Sequence, residues 1–431
     1  MDAIKGLMDF IDRAPTAFHA VAAIRAELAA AGYACLSERE RWQLEPGGRY
    51  YLTRNGSSVI AFRVPEGGLT HFQIVASHSD SPAFKLKPNP ARTSQGCAVL
   101  NVEKYGGMLM STWLDRPLSI AGRLVVAEED GLRTRLVNVD APLAVIPNMP
   151  IHFNRSANDG VAWNAQVDMQ PVYGMEGADY LQTVAEWAGV EPERVAGGDL
   201  FLYNRDRATR FGVDGAFISA PRLDDLECAY TSLQAFLAAK PTGHVDVFCV
   251  FDNEEVGSGT KQGADSTLLI ETLRRIALAL DGAPQALEAA IAGSFMVSAD
   301  NAHAAHPNHP DKYDPENRTF MNRGVVVKSN ANQKYTTDGV SAAVFERICA
   351  GAGVPTQRFA NRSDVSGGST LGNIANAHAS MNTVDIGLAQ LAMHSAMETA
   401  GARDVEHMIR ALTAFYEAEI DVRSDGWIEI K

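Results

Sequence analysis

The chain has 431 residues, of which 46% are hydrophobic and 8% aromatic, and it carries a formal net charge of −14. This length and composition predict a globular protein with a sizeable core and two domains. The acidic balance argues against a nucleic-acid partner or an anionic membrane surface, because both need clustered Lys and Arg. The N-terminus lacks a basic region followed by an apolar core, and no run of about 18 apolar residues occurs. We therefore expect a cytoplasmic protein with no membrane partner.

The first predicted element is an amphipathic helix that Pro15 opens and Gly32 closes. Strands are predicted at 58–64 and 72–76. From about residue 86 to 220 the pattern changes to short strand-like runs broken by Gly, Pro and Asn. This change predicts an inserted β-rich domain.

Helices and strands alternate again after this insertion. Helical patterns lie at 225–239, 266–280, 338–351 and 404–421, and strand-like runs lie at 245–251, 294–299, 324–329, 355–360 and 381–387. Such alternation predicts an α/β sheet with helices on both faces. We expect residues 1–85 and 221–431 to form this domain, interrupted by residues 86–220.

Five cysteines are scattered along the chain without a C-x-x-C pair. They are expected to be small buried side chains in a reducing compartment.

The most informative segment is Asp252-Asn253-Glu254-Glu255-Val256-Gly257-Ser258, at the end of the apolar run 245–251. Two adjacent carboxylates repel each other unless a positive charge lies between them. The usual way to accommodate such a pair is for one carboxylate to bind a metal ion and the other to act as a general base. The alternative is a solvated acidic turn.

A second motif, His78-Ser79-Asp80, follows the strand 72–76. An Asp two residues after a His can bind the second imidazole nitrogen and so orient the ring for a metal. A loop histidine satisfied by its neighbour is the alternative.

Three further residues are candidate ligands. Asp224 opens a helical pattern, where an N-cap is the alternative; Asp300 ends a strand; and His394 follows the run 381–387 and precedes a helical run. Together with His78 and Glu255 they are expected at the ends of strands of one α/β layer, where ligand sites form. Two His and three carboxylates suit a pair of divalent ions, zinc above all, with one carboxylate bridging.

A separate three-histidine site formed by His303, His306 and His309 is not favoured. Pro307 and Pro310 prevent a regular helical face there. His303, next to Asp300, remains a candidate substrate contact.

Five motifs together resemble those of the aspartyl aminopeptidases, which are zinc exopeptidases. They are His78-Ser79-Asp80-Ser81-Pro82, Arg222-Leu223-Asp224, Asp252-Asn253-Glu254-Glu255-Val256-Gly257-Ser258, Ser298-Ala299-Asp300-Asn301-Ala302-His303 and Met393-His394-Ser395. The order matches from about residue 10 to 425. Ser79 stands where Thr is common and Asp225 where Asn is common, and neither departure removes a ligand.

The resemblance implies a metallo-aminopeptidase that prefers peptides with an N-terminal Asp or Glu, and a fold of the zinc exopeptidase type with a β-rich dimerisation domain inserted. It implies two Zn²⁺ per subunit, with Mn or Co as alternatives in one site, and a homo-oligomer, a dodecamer built from dimers. The resemblance also implies roles for individual residues. One ion is held by His78, Asp224 and Asp300, and the other by Asp224, Glu255 and His394. Asp80 orients His78, Glu254 is the general base, His152 reaches the active site of a neighbouring subunit, and Lys328 and Tyr335 lie near the substrate's acidic side chain.

Two rival functions stay open at this point. One is another two-metal amide hydrolase, such as a deacylase or carboxypeptidase, which would not need a free N-terminal amine. The other is a non-catalytic assembly protein, against which the intact Glu254 and the five ligands count.

Overall fold

The computed structural model describes residues 2–431, and its main element is a nine-stranded mixed sheet. Strands are numbered in chain order. In spatial order the sheet contains β1 (Ala34–Cys35), β2 (Arg49–Arg54), β3 (Ser58–Arg63), β13 (Val245–Phe251), β4 (Phe72–His78), β14 (Phe295–Ala299), β18 (Asn382–Gly387), β16 (Val325–Ser329) and β17 (Thr356–Ala360). The central strands β13, β4, β14 and β18 run parallel to one another. Their carboxyl ends therefore meet at one edge of the sheet.

Nine α-helices occur within residues 2–431. They are α1 (Ala3–Arg13), α2 (Ala17–Ala30), α3 (Tyr180–Ala188), α4 (Leu223–Ala238), α5 (Leu268–Leu280), α6 (Ala286–Ala292), α7 (Gly339–Gly351), α8 (Leu371–His378) and α9 (Asp404–Glu417). None of these helices is both long and apolar enough to span a bilayer.

The helices cover both faces of the nine-stranded sheet. On β3, Val59 and Ala61 pack into a core shared with α1, α2, α4, α7 and α9. Ile60 and Phe62 point the other way, into a core shared with α5, α6 and α8. Successive strand side chains point to opposite faces, so both faces of a buried strand must be apolar. The predicted α/β class, a mixed sheet flanked by helices, is confirmed.

A second, six-stranded antiparallel sheet is built from residues 83–204. Its strands, in spatial order, are β8 (Gly131–Asn138), β7 (Leu118–Glu128), β10 (Val195–Asn204), β5 (Ala83–Ser94), β6 (Cys97–Tyr105) and β9 (Val172–Met175). It has its own apolar core, which includes Phe84, Trp113 and Ile120. We propose the division into residues 1–85 and 221–431 on one side and 86–220 on the other as the domain organisation.

A five-stranded sheet combines two strands that follow the inserted sheet with three strands from later in the chain. It contains β11 (Thr209–Phe211), β12 (Phe217–Ala220), β20 (Glu398–Gly401), β19 (Ala389–Leu391) and β15 (Ala302–His303). The chain ends in a hairpin of β21 (Ile420–Ser424) and β22 (Trp427–Ile430). Strand β12 pairs with β20, so the segment leaving the inserted sheet joins the C-terminal part of the chain.

Most of the elements predicted after residue 222 are confirmed, with ends within a few residues. The helices α6 and α8 were not predicted because two turns are too short to display a helical period. One prediction about the cysteines was wrong: Cys228, Cys249 and Cys349 are buried, but Cys35 is exposed and Cys97 is only half-buried. Cys35 lies on the two-residue edge strand β1, which leaves its side chain uncovered.

Candidate metal centre

Three candidate ligands meet at the carboxyl edge of the nine-stranded sheet. His78 is the last residue of β4, Glu255 follows β13, and Asp300 follows β14 directly. These three strands are neighbours, with β4 in the middle. The edge where parallel strands end is the usual place for a ligand site in an α/β sheet.

The other two candidates, Asp224 and His394, come from the five-stranded sheet instead. Asp224 follows β12, and His394 follows β19. The prediction that all five residues follow strands of one layer was therefore wrong for these two. The run 381–387 continues into β19 after Gly387, where a Cβ would overlap the carbonyl oxygen of Asp300. Only glycine allows this close approach, which brings the end of β18 against the Asp300 loop.

The local structure around Asp224 and His394 also differs from the prediction. Asp224 lies in the first turn of α4, but the helix is kinked there: Asp224 has a non-helical φ of −81° and ψ of 107°, and no side chain caps the helix. His394 precedes the strand β20 rather than a helix, and α9 begins only at Asp404. His394 has φ 65°, in the left-handed region. Both residues thus lie in irregular segments, where the side chain is free to point into the site.

The geometry brings all five candidate ligands together. His78 Nε2 lies 3.6 Å from Asp224 Oδ1, and His394 Nε2 lies 3.3 Å from Asp224 Oδ2 and 3.3 Å from Glu255 Oε1. Ligand atoms of His78, Asp224 and Asp300 lie within 4.8 Å of one another, together with Asp225. A second group within the same distance contains Asp224, Glu255 and His394. Asp224 belongs to both groups and turns one oxygen to each histidine.

The residues present fit divalent cations. The buried oxygens Asp224 Oδ1, Asp225 Oδ1 and Glu255 Oε1 have no hydrogen-bond partner. A buried carboxylate without a partner or counter-ion is costly. Burial raises the pKa of Glu254 to about 8, and burial followed by the charge of Asp224 raises the pKa of Glu255 well above its usual value. This set of carboxylates and imidazoles matches the mixed O and N donors that zinc prefers.

Asp80 contacts both the histidine and the glutamate pair. His78 Nδ1 lies 3.1 Å from the backbone oxygen of Asp80 and 3.4 Å from its Oδ1. The amides of Glu254 and Glu255 donate to the two carboxylate oxygens of Asp80, each at 3.1 Å. The second imidazole nitrogen of His78 thus lies nearest the backbone oxygen of Asp80, while the Asp80 carboxylate holds the backbone of the Glu254–Glu255 pair.

The predicted substrate contacts differ in their burial and in their distance from the candidate ligands. Lys328 is buried, and its Nζ donates to the backbone oxygen of Asp300 at 2.8 Å and lies 5.2 Å from the centre of the Tyr335 ring. His303 is exposed on β15, with its ring 6.1 Å from that of Phe359. His152 lies in an exposed turn, and the clusters of candidate ligands within residues 2–431 do not include it. The structure thus groups Lys328 and Tyr335 beside Asp300 and leaves His152 apart.

The clusters of candidate metal ligands in the described part of the chain do not include His303, His306 or His309. The rings of His306 and His309 are 5.0 Å apart, but His306 Nδ1 accepts the amide of Asn308 at 3.2 Å.

Sequence reasoning missed three polar residues around the site. Asp225 joins the group around His78. Glu398 is buried and accepts the amides of Asp224 at 3.0 Å and His394 at 2.7 Å. Tyr105, from the six-stranded sheet, donates its hydroxyl to Asp80 Oδ2 at 2.7 Å. Asp225 could have been found from the sequence, because it is adjacent to the candidate ligand Asp224. Glu398 and Tyr105 belong to no motif.

The fold and the donor set together define a cation-dependent hydrolase of the zinc exopeptidase type. Residues 10–416 match the family described as Aminopeptidase I zinc metalloprotease (M18). A relative from Clostridium novyi, described as a probable M18 family aminopeptidase 2, is 43% identical over 421 residues, which cover 95% of this chain and 97% of the relative. A relative from Ectopseudomonas mendocina with the same description is 41% identical over 428 residues, covering 96% and 98%.

Solved structures agree with the sequence comparison. The S. cerevisiae mApe1 dodecamer has a TM-score of 0.86 and 28% identity, covering 96% of each chain. An M18 family aminopeptidase from Thermotoga maritima has a TM-score of 0.85 and 26% identity, covering 96% of this chain and 95% of its own. The chain belongs to the M18 family of zinc aminopeptidases. It is a peptide hydrolase that acts at the N-terminus of peptides, and the resemblance drawn from its motifs is confirmed.

Proposed function

We propose that this aminopeptidase removes N-terminal Asp or Glu from peptides, using two zinc ions per subunit. In this proposal His78, Asp224 and Asp300 hold one ion, and Asp224, Glu255 and His394 hold the other. The observation that carries it is the position of Asp224, whose two oxygens face two different histidines at 3.6 and 3.3 Å. A carboxylate shared in this way suits a bridge between two cations. Mn or Co in one of the two sites is compatible with the same donors.

Glu254 is the proposed general base. When bound, the divalent ions lower the pKa of water and polarise the peptide carbonyl. The Glu254 carboxylate accepts the proton of the attacking water and returns it to the leaving amine, a step typically worth about 10² to 10⁴ in rate. The position of Glu254 supports this role. Glu254 is adjacent to the proposed ligand Glu255, and one of its carboxylate oxygens lies within 4.8 Å of ligand atoms of His78 and Glu255. Asp80 holds the backbone amide of Glu254 at 3.1 Å and so fixes where this base stands.

The preference for an acidic residue rests on the groups beside Asp300. Lys328 and Tyr335 are the residues proposed to lie near the substrate's side-chain carboxylate, and His303 is a further contact. Burial lowers the pKa of Lys328, but the nearby charges, with Asp300 the largest and Tyr335 and Asp385 next, together outweigh burial and raise this pKa. Lys328 therefore carries a positive charge throughout the physiological range, which favours an anionic side chain nearby.

We further propose a homo-oligomer, a dodecamer built from dimers through residues 86–220. The S. cerevisiae relative is described as a dodecamer. In this chain the inserted region exposes large apolar side chains, among them Met149 at 58%, Ile151 at 48% and Phe153 at 83%. Exposed apolar groups clustered in this way are typical of an interaction surface. His152 lies among them, which suits its proposed role at the active site of a neighbouring subunit.

A cytoplasmic location is also part of the proposal. Its support is the cysteine set, since all five thiols are free. Free thiols are typical of a reducing compartment.

The test of the function is the variant Glu254→Gln, assayed against a peptide panel. The wild-type enzyme should cleave peptides with N-terminal Asp or Glu faster than those with Leu or Lys, and should not cleave an N-acetylated Asp peptide. Glu254→Gln should retain its zinc and its melting temperature but lose roughly 10²-fold or more in kcat. The exposed Glu40 provides the matched control, Glu40→Gln, which should behave as wild type. Full activity of Glu254→Gln would reject Glu254 as the general base. Cleavage of the acetylated peptide would show that the enzyme does not require a free N-terminal amine.

A further inference from the structure

Strand β6 of the six-stranded sheet ends at Tyr105, and this residue reaches the metal centre. Its hydroxyl donates to Asp80 Oδ2 at 2.7 Å, and Asn253 Nδ2 donates to the same hydroxyl at 2.8 Å. The ring packs edge-to-face on Phe201, with the centroids 5.5 Å apart. The hydroxyl thus has one acceptor and one donor, both outside the sheet that carries Tyr105, and its position is fixed from three directions.

The acceptor of this hydrogen bond is the carboxylate that holds the two glutamates. Asp80 Oδ1 accepts the amide of Glu254, and Asp80 Oδ2 accepts the amide of Glu255 together with the Tyr105 hydroxyl. A rotation of the Asp80 carboxylate would therefore shift the backbone of both glutamates. The Tyr105 hydroxyl opposes that rotation, because it bonds to one of the two oxygens only.

The donor side of the network is ordered as well. Asn253 Oδ1 accepts the Thr260 hydroxyl and Gln262 Nε2, both at 2.8 Å. These bonds set the orientation of the Asn253 amide and direct its NH₂ group to Tyr105. Burial, followed by the charge of Asp80, raises the pKa of Tyr105 above its usual value. The hydroxyl consequently stays protonated and acts as a donor to Asp80.

The backbone after Tyr105 also packs against a candidate ligand. Gly106 has φ +76°, and a Cβ built there would lie 3.1 Å from Glu255 Cβ. Leu109 donates its amide to the backbone oxygen of His394 at 3.0 Å. The segment 105–109 therefore contacts the surroundings of both Glu255 and His394.

We propose that Tyr105 is a positioning residue of the hydrolytic reaction, which acts through Asp80 on the placement of Glu254 and Glu255. This inference rests on the proposed function, because it assigns those two glutamates their roles. It means that the inserted sheet is part of the catalytic machinery as well as a surface for assembly. Hydrogen-bond partners of this kind typically contribute about 10- to 100-fold to metal affinity or activity.

The variant Tyr105→Phe tests the proposal, because it removes the hydroxyl and keeps the ring on Phe201. We expect kcat to fall about 10- to 100-fold, and zinc affinity, measured by competition with a chelator, to weaken by a similar factor. KM should stay within about twofold, since the hydroxyl is already bonded to Asp80 and Asn253 and acts through Asp80. The matched control is Tyr203→Phe, whose hydroxyl donates to Asn138 Oδ1 at 2.7 Å in the same sheet. This control should keep the wild-type kcat and zinc affinity.

The outcomes separate three explanations. Wild-type kcat and zinc affinity in Tyr105→Phe would overturn the proposal. Equal losses in Tyr105→Phe and Tyr203→Phe, with the same fall in melting temperature, would assign the effect to the stability of the sheet and would also overturn it. A failure of the proposed function has another signature, namely a fully active Glu254→Gln, and it would be seen whatever Tyr105→Phe does.

Discussion

The buried carboxylate of Glu398 offers a quantitative prediction, because it binds the backbone of two proposed metal ligands. Its Oε2 accepts the amide of Asp224 at 3.0 Å, and its Oε1 accepts the amide of His394 at 2.7 Å. Burial raises the pKa of Glu398 to about 8, but both the charged and the neutral carboxyl can accept two N–H groups. An amide cannot accept one N–H at each of its two terminal atoms, since its NH₂ group is a donor only. Glu398→Gln must therefore lose one of the two bonds and set a donor against a donor.

The expected cost follows from that lost bond. A hydrogen bond contributes about 0.5–1.5 kcal/mol to a neutral group and about 1.5–3 kcal/mol to a charged one, and an unsatisfied buried donor costs about 1–3 kcal/mol. We expect the free energy of unfolding to fall by roughly 2–4 kcal/mol, measured by urea denaturation of the zinc-loaded enzyme. Zinc affinity should weaken about 10- to 100-fold, because Asp224 and His394 lose their fixed positions.

The control for this prediction is Glu406→Gln, at an exposed position on α9. It should change neither stability nor zinc affinity. If Glu398→Gln kept both values within experimental error of wild type, the carboxylate would not be holding the two ligands, and the reasoning from these hydrogen bonds would be refuted.

Two further predictions concern substrate preference and metal removal. Lys328→Met should reduce kcat/KM for an N-terminal Asp peptide more than for a Leu peptide, and equal losses for both would show that Lys328 serves only to hold the Asp300 backbone. Removal of zinc with a chelator should abolish activity and lower stability by about 2.7 kcal/mol for each of the two sites, relative to zinc at 100 times the Kd of that site. Reloading with Zn, Mn or Co should restore activity. An unchanged melting curve after complete removal of zinc would contradict the expectation that bound zinc stabilises the folded protein.

The sequence predicted those parts of the site that follow directly from local pattern. His78, Glu255 and Asp300 each sit at or after an apolar strand, and the carboxyl ends of adjacent parallel strands must meet. The helices and strands after residue 222 were predictable for the same reason, since their apolar periods are long and uninterrupted. Asp224 and His394 were found as motifs, but the sheet that carries them was not.

The remaining features depend on contacts between distant segments. Tyr105 lies 25 residues from Asp80 and 148 from Asn253, and nothing in the sequence around it distinguishes it from an ordinary strand tyrosine. Glu398 lies 174 residues from Asp224. The burial of Lys328 could not be read from its strand either, because a lysine on a strand is usually solvated. Such long-range hydrogen bonds require the folded structure.

Anomalous diffraction at the zinc edge from crystals of the zinc-loaded enzyme tests the central claim most directly. Two peaks should appear per subunit, about 3.5 to 4 Å apart, with Asp224 between them. His78 and Asp300 should bind the first ion, and Glu255 and His394 the second. A single peak, or peaks bound by other residues, would contradict the assignment of the two-cation centre.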